Sequence, residues 1–456
     1  MMASPAPNAQ LPRDPGKRAR RRLNLLLGGI LVALLLATTA AIIALWPDPA
    51  DVRVQAETVQ PSSKILEVRV TNLTPIPCAN SGAPTAGSLI QQQPGEQPGE
   101  QPGQQPGEAP EASDCFEVRA TLPIGKPIGF TIDPANFHHV APQPGDSVRV
   151  IASESGAPGE SQTHYYFYDY PRSGKMLAVA IVFALIVVWV GRWRGALSLV
   201  GVAAAIGVLI VFVLPAVLAG KPPVPVAVAG SVGIMTLVLY LAHGVSHRTT
   251  AALFGAIFGI VFTAGAGFVT TRWLRFSGIA STEDASLAIA VPGLNMNDLL
   301  TATIVIAGLG VLNDITVAQA SAVWEMRELN PQAPKRRLYL SAMRIGRDHI
   351  ASSIYTLVFA YAGAMLGVLL LIYTYPRDLM DLITSEQIAQ EVIRTLIGAA
   401  GLVLSMPVTT ALAVMFAKPP EETYPSVTNL ASASNSTAAS PLRSAISPRS
   451  RTTSSG

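Results

Sequence analysis

The chain has 456 residues, of which half are apolar and only 13% are charged. Soluble domains usually carry about 25% charged residues, so this composition excludes an ordinary soluble protein and indicates a membrane protein. The net charge of +3 is too small to suggest binding to nucleic acid, because the basic residues stand beside apolar runs rather than in a patch of their own.

The apolar residues are gathered into runs of about 20, the length that an α-helix needs to cross a bilayer core of about 30 Å. We therefore predict a mainly α fold. It is a polytopic transmembrane bundle of about eight helices, with a small exported β-rich domain between the first and second spans. The predicted spans are 23–46, 176–191, 196–219, 224–242, 249–271, 298–322, 350–373 and 393–416.

Residues 1–22 contain the basic stretch "GKRARRR", directly before the first span. The apolar run 23–46 is longer than the 7–15 residues of a signal-peptide core, and we interpret it as an uncleaved anchor. Basic residues favour the cytoplasmic side of a membrane, which places 1–22 inside. Alternation of the spans then places the loops that contain Arg192, Arg248 and Arg327 inside too, together with both termini.

The segment 47–172 is predicted to be exported and rich in β-strands. Alternation of apolar and polar residues, typical of half-buried strands, occurs in "VRVQAETVQ", "KILEVRVTN", "CFEVRATL", "SVRVIAS" and "HYYFYDY". The stretches "PIGKPIG" and "QPGDSV" are typical of turns between strands. We expect a small β-domain, for which a barrel of the OB type is one candidate.

Both cysteines of the chain, Cys78 and Cys115, fall in this exported segment. An oxidising exterior favours a disulfide between them, worth about 4 kcal/mol in the loop-entropy model; two free thiols are the alternative. The insertion of about 80–114 contains "QPGEQPGEQPGQQPGE", whose Pro and Gly without apolar residues predict disorder. The Ser-rich tail 418–456 is predicted to be disordered for the same reason, and cytoplasmic.

Small residues recur at four-residue intervals in the fifth span, at Ala251, Gly255, Gly259, Thr263 and Gly267. Residues four apart share a helix face, so this pattern predicts a groove against which another helix packs closely. Gly363 and Gly367 predict the same for the seventh span. Pro215 and Pro407 lie inside the third and eighth spans, where each is expected to kink its helix.

His243 and His247 are four residues apart in "HGVSH", a spacing at which two imidazoles can share a metal ion. The residue after the first histidine is Gly244, whereas the metalloprotease pattern needs a glutamate there. The pair also falls at the predicted cytoplasmic boundary of the membrane, where solvated histidines are common. We therefore predict no metal site and no cofactor, with this pair as the residual candidate ligands.

The sixth span carries Asn313, Asp314 and Gln319, although it is apolar overall. An ionised carboxylate at the centre of a bilayer costs about 2.5–3.5 kcal/mol on insertion scales. We therefore expect Asp314 to face a partner or a wet cavity.

The seventh span is preceded by Arg347, Asp348 and His349, at the membrane edge where the sixth span ends. About 27 residues join the two spans. If the two helices are neighbours, as connected helices usually are, Arg347 is placed to reach towards Asp314. We predict that these two groups of three form a polar intramembrane site. The alternative is that Asp314 is neutralised, by Arg347 or by protonation, and only holds two helices together.

The two polar stretches resemble the YibE/F family of bacterial multispanning membrane proteins. The resemblance is carried by 308–331 and 343–367, with "HGVSHRTTAALFG" and "DYPRSGKML" in support, and it covers approximately 120–416. It implies an anchor, an exported domain and a helical bundle, here 173–417, in a bacterial plasma membrane. Members of the family are usually catalogued as permeases without an established substrate.

Two functions of different classes follow. The first is a permease for an unknown solute, with its polar site around Asp314. The second is a non-transporting membrane-anchored component that binds a ligand or assembles the envelope through 47–172. We predict no enzyme, since neither a Walker motif nor an HExxH zinc pattern occurs. The expected partners are the lipid bilayer, a small solute or ion and, as an open alternative, a second copy of the chain.

We predict that the loop 323–345 is cytoplasmic and the loop 272–297 external, because the basic residues near Arg327 outweigh those of the other loop. Single cysteines introduced by Gln332→Cys and Ala285→Cys, in a chain without other cysteines, test this on intact cells. An impermeant thiol reagent is expected to label position 285 only. Labelling at 332 but not at 285 would reverse the topology.

Overall fold

A computed structural model describes the chain in separate stretches. These are residues 15–48, 64–77, 114–132, 142–155, 162–374 and 378–417. The predicted strand "VRVQAETVQ", the QPGE-containing insertion up to residue 113, and the tail 418–456 lie outside the described residues.

The described part of 64–169 forms one antiparallel sheet. Its strands are β1 (Lys64–Pro77), β2 (Asp114–Thr121), β3 (Pro127–Ile132), β4 (Ser147–Ser155) and β5 (Gln162–Asp169). Their order across the sheet is β3-β2-β1-β4-β5, and the edge strands β3 and β5 also contact each other. The sheet is therefore a partly closed barrel, in keeping with the five-stranded OB architecture considered from the sequence.

Strand β3 shows how this sheet obtains its apolar face. Its residues Ile128, Phe130 and Ile132 are buried, whereas the intervening Pro127 and Gly129 are exposed, as the two-residue period of a strand requires. The prediction that "PIGKPIG" is a turn is wrong for its second half, where β3 begins. A proline is tolerated as the first residue of an edge strand because its missing N–H is not needed there.

The rest of the described chain is helical. The helices are α1 (Pro15–Ala44), α2 (Ser173–Val208), α3 (Leu214–Leu218), α4 (Pro223–His243), α5 (His247–Trp273), α6 (Thr282–Ala290), α7 (Met296–Ala307), α8 (Leu309–Leu329), α9 (Lys335–Ala364), α10 (Leu366–Tyr373), α11 (Leu379–Thr384) and α12 (Glu386–Phe416). A π-helical turn, Leu209–Val213, joins α2 to α3. The mainly α class predicted from the sequence is confirmed.

Five helical segments of the described chain are long and apolar enough to cross a membrane. They are Ser173–Leu218, Pro223–His243, His247–Trp273, Met296–Leu329 and Glu386–Phe416. The predicted spans 23–46 and 350–373 are not among them. The described side chains of α1 begin at Gly28, and Gly28–Ala44 is an apolar helix of 17 residues. The seventh predicted span is divided between α9 and α10. The prediction of several membrane-crossing helices is confirmed, whereas the number of about eight is not.

The segment Ser173–Leu218 bends at Arg192, whose backbone angles of φ 52° and ψ −136° are not helical. Just beyond the bend, a Cβ on Gly195 would overlap the carbonyl of Val187. Only glycine fits where the two halves of the segment approach so closely. The two halves correspond to the second and third predicted spans.

The two prolines inside predicted spans behave differently. Pro215 has no backbone N–H to donate to the preceding turn, and the π-helical turn Leu209–Val213 lies directly before it. A disturbed helical ladder ahead of a proline is the expected response. The helix α12 continues through Pro407 as one helical element.

The helical bundle is built on a close contact between α5 and α12. On α5, a Cβ at Gly255 would overlap the hydroxyl of Thr409, and one at Gly259 would overlap a side chain of α8. On α12, a Cβ at Gly401 would overlap the hydroxyl of Thr263 in the same way. The groove predicted from the small residues of the fifth span is therefore confirmed.

The two glycines of the seventh predicted span do not form a tight contact like that of α5. No atom lies within 4 Å of the Cβ position of either Gly363 or Gly367. The prediction that these glycines form a tight helix contact is wrong within the described chain, because this part of α9 and α10 lies at the outside of the bundle.

We predict a disulfide between Cys78 and Cys115. Cys115 is buried in β2 opposite Ile76 of β1, and the next pair of this ladder is Pro77 with Asp114. Cys78 follows at once but lies outside the described residues, so the bond itself stays a prediction. Thiol labelling of the denatured protein is expected to find no thiol before reduction and two after it. Two reactive thiols without reductant would refute the bond.

Gly255→Ala is expected to lower the free energy of unfolding by about 1–3 kcal/mol, the usual cost of overpacking, because the new methyl group overlaps Thr409. Gly265→Ala is the matched control, since it replaces a glycine inside the same helix but its methyl group meets open space. Thermal unfolding in detergent measures both variants. Equal melting temperatures would contradict the proposed tight contact.

Candidate functional site

The polar residues of the sixth predicted span follow a break in a membrane-crossing segment. Helix α7 ends at Ala307 and α8 begins at Leu309, with Gly308 between them at φ −73° and ψ −16°. The first amides of a helix have no intrahelical partners. The break therefore places polar backbone groups inside the apolar segment Met296–Leu329.

Asn313 lies about one turn beyond this break. Its Oδ1 atom is buried and has no hydrogen-bond partner among the described residues. The nearby Thr316 hydroxyl does not serve it, because that hydroxyl donates to the carbonyls of Leu312 (2.8 Å) and Asn313 (3.2 Å). A buried acceptor without a partner costs about 1–3 kcal/mol. A hydrogen-bond donor from outside the described chain would satisfy this oxygen.

Asp314 is exposed on the outer face of α8, which it shares with Gly310 and Glu325. It lies near the middle of the apolar segment Met296–Leu329. The ion pairs found in the described stretches do not include it. The partner or wet cavity that the sequence requires is therefore not supplied by the described part of this chain.

Gln319 is buried and joins three helices. Its Nε2 donates to the carbonyl of Ala342 on α9 at 2.8 Å. A Cβ at Gly346 would lie 2.9 Å from the Gln319 Oε1 and would overlap the sulfur of Met406 on α12. The amide therefore fixes α8, α9 and α12 against one another, which is a structural role.

Arg347, Asp348 and His349 are exposed on α9. Asp314 and Arg347 each lie five residues from the contact of Gln319 with Ala342, which is about 7.5 Å along each helix, so they share one depth. The predicted adjacency of the two helices is confirmed by their packing. An ion pair between Asp314 and Arg347 is not among those of the described chain.

A second polar group, which the sequence analysis did not single out, lies at the far end of α5. The Nη2 atom of Arg272 contacts Asp298 Oδ1 of α7 at 2.5 Å, and its guanidinium stacks 3.4 Å above the ring of Phe268. Asn297 donates to the carbonyl of Phe276 at 2.8 Å. These contacts tie α5 to α7, and Asp298 offsets the positive charge of Arg272.

A third polar group lies at the start of α12. Arg394 contacts Glu391 at 2.5 Å and the Thr303 hydroxyl at 3.4 Å, while its Nε is buried without a partner in the described chain. Glu386, the first residue of α12, accepts the N–H of Gly278 at 2.9 Å. The spacing of Glu391 and Arg394 on one helix face is the signal that could have predicted this pair. Their partners on other helices are not visible in the sequence.

The two histidines of "HGVSH" are not on one helix. His243 ends α4 and His247 begins α5, with Gly244 between them at φ 72°. The ring of His247 lies 6.4 Å from the ring of Phe416. Among the residues that the structure describes, there is no group of three or more His, Cys, Asp or Glu side chains that could hold a metal ion.

A cavity of about 1040 Å³ lies where the sheet meets the start of α2. Its lining includes the polar residues Asp146, Tyr170 and Lys175 and the apolar residues Met176 and Phe183. Burial raises the pKa of the Tyr170 hydroxyl, the charge of Asp146 adds to this and that of Arg172 opposes it. The Tyr170 hydroxyl therefore keeps its proton at neutral pH and can act as a donor.

A family model described as YibE/F-like protein matches residues 179–419. The match spans more than half of the chain and contains the break at Gly308 together with the whole predicted polar site. Comparison with curated proteins and with solved structures gave no match.

Proposed function

The chain belongs to the YibE/F-like family, and on this premise we propose that it is a permease for a small solute or ion. The proposed site lies on α8, directly after the break at Gly308, and includes Asn313 and Asp314. The observation that carries the proposal is the buried Oδ1 of Asn313, which has no partner in the described chain.

The chemistry of this site favours a ligand that donates hydrogen bonds or carries positive charge. An amide oxygen accepts hydrogen bonds, and the neighbouring carboxylate of Asp314 attracts cations and donors. Transporters commonly place such groups at interrupted helices near the middle of the membrane. A cation, a proton or a small cationic solute therefore fits the site better than an anion.

The same proposal includes the kind of membrane in which the chain lies and the orientation of the chain in it. The chain lies in a bacterial plasma membrane with both termini in the cytoplasm. The first span and the span divided between α9 and α10 cross the membrane together with the five segments that are long enough on their own. The segment 47–172 is then outside the cell.

A second candidate is a binding or envelope-assembly component that acts through the exported domain. The cavity of about 1040 Å³ at the start of α2 favours it, because polar residues such as Lys175 line this cavity together with the apolar residues Met176 and Phe183. An amphipathic ligand at the membrane surface fits such a cavity. In this case the polar residues of α8 serve only to hold the bundle.

Asp314→Asn is expected to express and insert like the wild type but to abolish transport, because it keeps the size of the side chain and removes its charge. The readout compares solutes inside cells and in the medium for a deletion strain with each variant restored. Glu328→Gln is the matched control, since Glu328 is an exposed acid of α8 near its cytoplasmic end. It is expected to restore the wild-type distribution.

Rescue by Asp314→Asn at normal expression would contradict the permease proposal at this residue. Rescue by Asp314→Asn together with failure of Lys175→Gln, at equal expression, would instead favour the binding component. Failure of Asp314→Asn and rescue by Lys175→Gln is the result that the permease proposal expects.

A further inference from the structure

We propose that two copies of the chain associate through the outer faces of α8 and α9, and that the second copy supplies the charged partner of Asp314. The inference goes beyond the proposed function, because its argument holds whether or not a solute crosses the membrane. It requires only that α8 and α9 lie within the bilayer.

The outer faces of α8 and α9 carry charges that the described chain leaves unpaired. Asp314 of α8 and Arg344, Arg347 and Asp348 of α9 are all exposed. The ion pairs and side-chain hydrogen bonds within the described stretches involve other residues. A single copy would therefore leave Asp314, which lies within the apolar segment Met296–Leu329, without a charged partner.

The depth of Asp314 makes this exposure costly. It lies near the middle of the apolar segment Met296–Leu329, which is long enough to cross a membrane. A long arginine can extend its charge towards the surface, but the short side chain of aspartate cannot. Lipid headgroups are confined to the surface and cannot reach it either. An ionised carboxylate at this position therefore needs a partner at its own depth.

The charges of this surface suit a contact with a copy of itself. A two-fold interface brings the same patch of both copies together, so a patch of one sign would repel itself. Here Asp314 and Asp348 are negative, whereas Arg344 and Arg347 are positive. The patch is neutral in sum and carries both signs, as a self-complementary surface must.

The depths of the charges specify which of them meet. A two-fold axis perpendicular to the membrane keeps each residue at its own depth. Asp314 and Arg347 lie at one depth because both are five residues from the contact of Gln319 with Ala342. Asp314 of each copy is therefore expected to meet Arg347 of the other, giving two symmetric ion pairs.

The decisive experiment reverses the charge of one residue at a time. Two differently tagged chains are expressed together, and the amount of one that co-purifies with the other is measured. Two wild-type chains are expected to co-purify. Two chains with Asp314→Arg, or two with Arg347→Asp, are expected to lose this association, since both contacts then join like charges. Monodisperse elution of each variant confirms that it folds.

One Asp314→Arg chain with one Arg347→Asp chain is expected to restore the association. One contact of this mixed dimer has the native charges and the other has both charges exchanged, so both are attractive. If the two residues paired within one chain instead, only the double variant in a single chain would recover. Failure of the mixed pair alongside recovery of the single-chain double variant would overturn the proposal.

A cross-link tests the surface without changing its charges. Ser352→Cys places a thiol on the exposed face of α9 one turn beyond Asp348, whereas Val182→Cys places one on an exposed face of α2. Oxidation of membranes with copper phenanthroline is expected to give a dimer with the first variant and not with the second, with the wild-type chain as blank. No dimer at position 352, or equal dimer at both, would contradict the interface. Neither readout measures transport, so failure of the permease proposal would be recognised separately.

Discussion

Close packing of small residues between α5 and α12 is the interaction on which the rest of the bundle depends. Lipid is as apolar as leucine, so helices in a bilayer associate through van der Waals contact and hydrogen bonds rather than through the hydrophobic effect. Gly255 and Gly401 allow that contact by leaving room for threonines of the facing helix. Gly259 receives a side chain of α8 in the same way. Small residues that are not part of the candidate site, such as Gly259, thus set the position of the polar helix α8.

Structural features that follow from a short sequence period could be predicted from the sequence. The four-residue spacing around Gly259 gave the packing groove of α5, and the alternation in "KILEVRVTN" gave β1. Features that depend on distant contacts were not. The strand β3 begins at a proline, and the ladder with β2 overrides its local turn signal. Gly363 has the same local spacing as the packed glycines, but no helix of the described chain lies against it.

The same difference between local and distant contacts applies to the residues of the candidate site. The cost of burying charge identified Asp314 as unusual, and helix adjacency correctly placed α9 beside α8. The direction of each side chain required the structure, because it depends on how a helix is rotated against its neighbours. Gln319 faces inward and binds the backbone of α9, whereas Asp314 faces outward. Residues five positions apart on one helix thus have opposite environments.

The bend at Arg192 has a consequence for how the two parts of the protein can diverge. The helix before it, from Ser173, is exposed over most of its surface, so few contacts fix its length or its rotation. Each residue inserted into an α-helix turns everything beyond it by about 100° and moves it by 1.5 Å. Insertions or deletions before Arg192 would therefore re-aim the β-domain around the helix axis while the bundle stays unchanged. Related chains can in this way acquire differently oriented domains by single-residue changes in length.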